Sequence, residues 1–219
     1  MPVPANRDAD VLVARARTAL ANARLPDMAP LLADYGYDAD ALDEGDALLA
    51  AAEDAAVDVA REYSEQYAAT DARALAEGEA VAAYTRDATL ARALYPAGTE
   101  GHTRLGLTGR RPGAAEAFAR HARAFYQTLR DDAALRAPLE RRRVTPASLT
   151  TALARLDALD AAIQAQAAET GEAQEATATR NAAVARLQGW MREFTATVKV
   201  AFADHPQMRE RLGLRERGS

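Results

Sequence analysis

Apolar and polar positions along this 219-residue chain alternate at helical steps of three and four almost throughout. Val11, Ala14, Thr18, Ala21 and Leu25 keep that spacing and predict a first helix from Asp8 or Asp10 to about Leu25, stopped by Pro26. A connector follows through Pro30 to Tyr37. Asp38 then reads as an N-cap, because its short carboxylate can accept an orphan backbone N–H. Asp40, Asp43 and Glu44 add negative charge where the helix dipole favours it. Leu42, Leu49, Ala52, Ala56, Val59, Tyr63, Tyr67, Thr70 and Ala74 form the next seam, and the helical pattern lasts almost to Pro96. One helix of that extent would measure about 85 Å at about 1.5 Å per residue, long for a compact domain. The pattern is therefore read as a hairpin reversing near residues 68–73 and returning through Val81, Tyr84, Ala88, Ala91 and Leu94. A short turn capped by Thr99 leads to Leu105-Gly106-Leu107.

The second half follows the same plan. Phe118, Ala122, Phe125 and Leu129 mark a helix after Pro112-Gly113, and Thr145-Pro146 pairs an N-cap with proline at the first helical position. Leu149, Leu153, Leu156, Leu159 and Ile163 continue from there. The polar stretch at residues 169–180, containing Gly171, predicts a second reversal. A last long helix then carries Val184, Leu187, Trp190 or Met191, Phe194, Val198 and Phe202, and Pro206 opens a closing turn.

Arg104-Leu105-Gly106-Leu107 recurs as Arg211-Leu212-Gly213-Leu214, a shift of 107. The same shift aligns Leu32 with Leu139, Leu42 with Leu149, Leu49 with Leu156, Thr70 with Thr177, Arg73 with Arg180 and Tyr95 with Phe202. It also aligns the two start signals, Asp38-Ala39 and Thr145-Pro146. These coincidences predict two tandem copies, 1–107 and 108–219, packed as one globular domain. The architecture expected is all-α: two three-helix units whose long hairpins form an antiparallel four-helix bundle core. In each tetrapeptide Leu-Gly-Leu suits a helix C-cap. Gly106 and Gly213 would take the left-handed conformation, and the arginine would face the negative end of the dipole.

Composition supports the helical reading. Alanine makes up about a quarter of the chain and aromatics 5%. A net charge of −5 and a pI near 5.3 do not favour nucleic acid or an anionic membrane as partner. Cysteine is absent, which removes thiol catalysis and thiolate metal sites. No apolar run of about 18 residues predicts a membrane span. The start lacks a basic segment followed by an apolar one, so a cytoplasmic location is expected, and the arginine and alanine bias suits a GC-rich bacterial genome.

The C-terminal pattern Trp190…Phe194…Val198…Ala201-Phe202…Pro206…Leu212-Gly213-Leu214 resembles one found in uncharacterised bacterial all-helical proteins. That resemblance implies a fold type and no activity.

Candidate chemistry is sparse. A di-metal carboxylate bundle needs Glu-x-x-His on two helices, but Thr99, Phe118 and Phe202 stand three residues before His102, His121 and His205. Serine occurs only at Ser64, Ser148 and Ser219, and no nucleophile elbow or phosphate loop is present. No catalytic residue, cofactor or metal is therefore expected. Arg110-Arg111 and Arg141-Arg142-Arg143 fall in connectors. Tyr35, Tyr37, Tyr63, Tyr67, Tyr84 and Tyr95 sit in the first half, whereas every phenylalanine and Trp190 sit in the second. Tyr63, Tyr67 and Tyr84 could line a ligand cleft, since tyrosine offers flat contact area with a polar tip. The leading expectation is a non-catalytic structural or protein-interaction module. Its partner would be another protein or a second copy, because alanine-rich seams bury little area and a homodimer would add more. A small-molecule-binding bundle is the alternative.

Overall fold

A computed structural model describes residues 7–214. Among these residues the chain is all-α, with no strand, and no helix is long and apolar enough to cross a membrane. The helices are α1 (Arg7–Ala23), α2 (Ala29–Ala33), α3 (Ala39–Leu94), α4 (Glu100–Arg104), α5 (Ala115–Asp131), α6 (Ala133–Glu140), α7 (Pro146–Ala201) and α8 (Pro206–Arg211).

The expected hairpin reversals do not occur. Residues 68–73 lie inside α3 and residues 169–180 inside α7, each an unbroken helix of 56 residues. Neither stretch contains proline, and one helical glycine such as Gly171 costs only about 1 kcal/mol relative to alanine. The polarity that suggests a turn belongs instead to a helix–helix seam. Arg73 donates to Gln166 Oε1 at 2.5 Å, Gln166 to Thr70 Oγ1 at 3.1 Å and Gln66 to Thr170 Oγ1 at 3.5 Å. Rising numbers on one helix meet falling numbers on the other, as the antiparallel pairing of α3 and α7 requires.

The long helices are shared between two compact units, so the four-helix core built from hairpins is replaced by a different arrangement. The first unit takes Met1–Ser64 and Glu172–Ser219, and the second takes Glu65–Gly171. In the first, α1, α2 and the start of α3 pack with the end of α7 and α8. Its core includes Leu20, Met28, Leu32, Leu42, Leu187, Phe194 and Phe202. In the second, α5, α6 and the start of α7 pack with the end of α3 and α4, around Tyr84, Phe118, Phe125, Tyr126, Leu139 and Leu156.

The two units match element by element. Ala39–Leu94 becomes Pro146–Ala201 under a shift of 107 at both ends. The buried face of α1 (Ala9, Ala16, Ala19, Leu20, Ala23) becomes that of α5 (Ala115, Ala122, Phe125, Tyr126, Leu129) under a shift of 106. This register corrects the expected stripe on α1, since Val11 is 67% exposed. Ion pairs match as well: Arg17 meets Glu53 at 2.7 Å in one unit, and Arg123 meets Asp160 at 2.7 Å in the other.

The tetrapeptides close their helices in the same way. Gly106 (φ +62°) and Gly213 (φ +72°) are left-handed. Leu107 N–H bonds His102 C=O at 3.1 Å and Leu214 N–H bonds Arg209 C=O at 3.3 Å, the six-to-one bond of a Schellman cap. The leucines on either side of each glycine are buried. Arg104 reaches Asp132 and Arg211 reaches Asp27, both at 2.6 Å, so each arginine ties its cap to the other half of the sequence. The Arg211 hydrogen bond holds the Asp27 carboxyl below its usual range. Asp132 is held down first by the N–H of Leu135 and then by Arg104. At the helix starts, Asp38 Oδ1 accepts from Ala41 N–H at 3.0 Å, and Thr145 Oγ1 from Ser148 N–H at 3.3 Å.

Candidate functional site

Of the tyrosines proposed for a cleft, Tyr84 is 1% exposed and packs the core of the second unit rather than lining an opening. Its place on α3 sets it edge-on to Phe118, Phe125 and Tyr126, with ring centroids 5.7, 5.4 and 6.5 Å away. Tyr63 is half-buried in the first unit, and Tyr67 of the second unit borders water. The two do not join Tyr84, because they lie nearly six and five helical turns before it on α3.

Around Tyr84 the second unit carries a polar network that the sequence alone does not reveal. The Tyr84 hydroxyl lies 2.7 Å from His121 Nε2. Burial raises the phenol's pKa, opposed by the charge of Arg92, and burial followed by Arg92 lowers that of the imidazole. Both shifts favour the neutral forms of the two groups. One helical turn along α3, the buried carboxylate of Asp87 accepts from Tyr126 Oη at 3.2 Å and from Arg86 Nε at 2.8 Å. Burial, then the charge on Asp87, pushes the Tyr126 phenol far above its ordinary range. His102 and Tyr95 are likewise bonded to the fold: His102 Nδ1 lies 2.9 Å from Tyr95 C=O, and Tyr95 donates to Leu135 C=O at 2.7 Å. These groups link helices, and none combines a nucleophile with a base and an open approach.

The first unit fills its equivalent core with carbon. Phe194 stands where the second unit has Asp87, and Leu20 where it has Tyr126. Trp190 stacks on Phe194 at 5.1 Å, with Tyr37 edge-on to both. A Cβ on Gly45 would fall 2.5 Å from the indole, so glycine is required there. The matching pair in the second unit is Ala152 and Ala83. With alanine in place of tryptophan, the second unit has an open groove of about 400 Å³ beside Ala83, bordered by Glu79, Arg86 and Arg155.

A smaller groove of about 240 Å³ in the first unit gathers Asp58, Glu62, Glu172 and Glu175. Arg61 spans Asp58 at 3.3 Å and Glu62 at 2.8 Å, so the acids are partly neutralised within the site. No histidine lines it, in contrast to the Glu-x-x-His pattern of di-metal bundles.

No protein-family model matches the chain, and comparison with curated proteins and with solved structures finds no significant match.

Proposed function

We propose that this protein is a non-catalytic helical interaction module, built from two tandem copies of one unit, 1–107 and 108–219, whose outward helix faces engage another protein or a second copy of the chain. The observation that carries the reading is the use made of the ionisable core of the second unit. Tyr84, His121, Tyr126 and Asp87 are bonded to one another or to Arg86, which fixes helices and leaves no pair free to move a proton to a substrate. The duplication is supported by helix bounds, caps and ion pairs that coincide under shifts of 107 and 106.

Self-association is the form of the reading that can be tested first. Val57 on α3 and Val200 on α7 stay 69% and 63% exposed in the first unit, as does Leu75 at 67% in the second. Light scattering over a wide concentration range is expected to give a mass above 23.4 kDa that rises with concentration and falls on Val57→Asp. A constant mass of one chain removes the second copy as partner. Separately, Tyr84→Phe is expected to lower thermal stability and leave association intact. Loss of association without loss of stability would give Tyr84 a binding role and contradict the reading.

A further inference from the structure

The two units diverge at one place in a way that points to a ligand. In the first unit, α1 and the end of α7 border an open groove of about 450 Å³. Its apolar floor is Leu12 and the buried Met191, and its rim carries Arg15, Arg192 and Lys199, with Thr195 between them. Under the register shifts above, Met191 matches Tyr84, Leu12 matches Phe118, Arg15 matches His121 and Lys199 matches Arg92. In the second unit those four are the buried phenol, the ring edge-on to it at 5.7 Å, the imidazole 2.7 Å from its hydroxyl, and a guanidinium near that hydroxyl. One unit therefore fills the position with an aromatic body whose polar tip meets basic groups. The other has methionine and leucine in place of the rings, keeps basic groups at the equivalent positions and borders an open groove there.

The cations are not consumed elsewhere. Among the described residues, no carboxylate pairs with Arg15, Arg192 or Lys199, whereas Arg17 on the same helix as Arg15 meets Glu53 at 2.7 Å. No acidic side chain lines the groove. Three unopposed positive groups around an apolar floor, in a chain of net charge −5, are complementary to a small anion with an apolar body. The groove's volume is in the range of small-molecule sites.

We propose that this groove binds a small aromatic carboxylate, its ring over Met191 and Leu12 and its carboxylate between Arg15 and Lys199. Arginine supplies a planar two-donor fork and lysine a point charge, a pair suited to one carboxylate. The ring supplies the aromatic surface that Tyr84 and Phe118 supply in the other unit. Small-molecule binding thus belongs to this groove rather than to the tyrosines, and it stands whether or not the chain self-associates.

Isothermal titration of the full chain with benzoate, benzamide and inorganic phosphate tests the site. Benzoate is expected to bind saturably, one per chain, and uncharged benzamide about tenfold more weakly or worse. Arg15→Gln and Lys199→Gln should each weaken benzoate by about tenfold, the effect of losing one charge-assisted hydrogen bond. Met191→Tyr, which builds into the groove the ring its counterpart carries, should abolish binding while circular dichroism stays helical. If Met191→Tyr fails to fold, the exposed Lys199→Glu carries the test, and reversal of that charge must abolish binding. Absence of saturable benzoate binding overturns the proposal, as does binding unmoved by the Lys199 and Met191 variants. Phosphate binding as tightly as benzoate also overturns it, since the apolar floor would then have no part in recognition.

Discussion

Arg143 holds φ at +68°, the conformation its counterpart Gly36 adopts at +85° without steric cost. Both close the same cap: Val144 N–H bonds Leu139 C=O, and Tyr37 N–H bonds Leu32 C=O. Arg143→Gly is expected to stabilise the protein by about 1 kcal/mol, read from urea denaturation, whereas Gly213→Ala should cost about 1 kcal/mol or more. Gly213 has the tighter surroundings, because an added Cβ would sit 3.4 Å from Thr18. His121 gives a pH signature at the same scale. Its imidazole is held below its ordinary value by burial and then by Arg92, so the unfolded chain takes up the proton first. Its contribution to stability is complete above about 6.5 and declines as pH falls through that value toward the folded pKa. Thermal melts should therefore show Tm falling between about pH 7 and pH 5, and His121→Gln should flatten that slope while lowering Tm at neutral pH.

At the scale of elements, the continuity of α3 and α7 is the finding with the most direct test. Asp71 lies exposed in the middle of α3. Asp71→Pro should cost about 3 kcal/mol because proline deletes a helical hydrogen bond and clashes with the preceding turn. A hairpin loop at residues 68–73 would have accepted it with little change. The contact between α3 and α7 in the first unit has its own test. Gly45→Ala pushes a methyl into the Trp190 ring, a rigid neighbour, and should destabilise markedly. The same substitution beside Trp190→Ala should be nearly harmless, because the equivalent positions of the second unit, Ala152 and Ala83, are both alanine. A double-mutant cycle showing additivity would contradict the contact.

Across the whole molecule, neither half of the sequence owns a core. Each unit draws a long-helix end and a short capping helix from the opposite half, so the two halves of the sequence cover each other's apolar seams within one chain. Fragments 1–107 and 108–219, expressed separately, are expected to be poorly structured or self-associated. Mixed, they should recover the helicity and melting profile of the intact chain. A folded monomeric 1–107 fragment would show that the seams do not need the other half. The C-terminal pattern of Trp190, Phe194, Val198, Phe202, Leu212 and Leu214 acquires a physical meaning here, since these residues pack the core of the first unit.

The all-α class, both long-helix starts and the two tetrapeptide caps were legible in the sequence because they depend on local chemistry. Alanine propensity, a capping side chain and a glycine that can turn left-handed act within one or two turns. The buried register of α1 against α5 was hidden from an ungapped comparison at 107. The span from Leu129 to Leu149 is one residue longer than that from Ala23 to Leu42, so these helices match at 106. Whether residues 68–73 and 169–180 turn or continue could not be read locally, since the helical periodicity suits one long helix as well as a hairpin. The hydrogen bonds between α3 and α7 decided it. The network of Tyr84 with His121, and the open groove bordered by Arg15 and Lys199, are likewise products of tertiary structure. Those groups are far apart in the chain, and only the folded backbone brings them to one place.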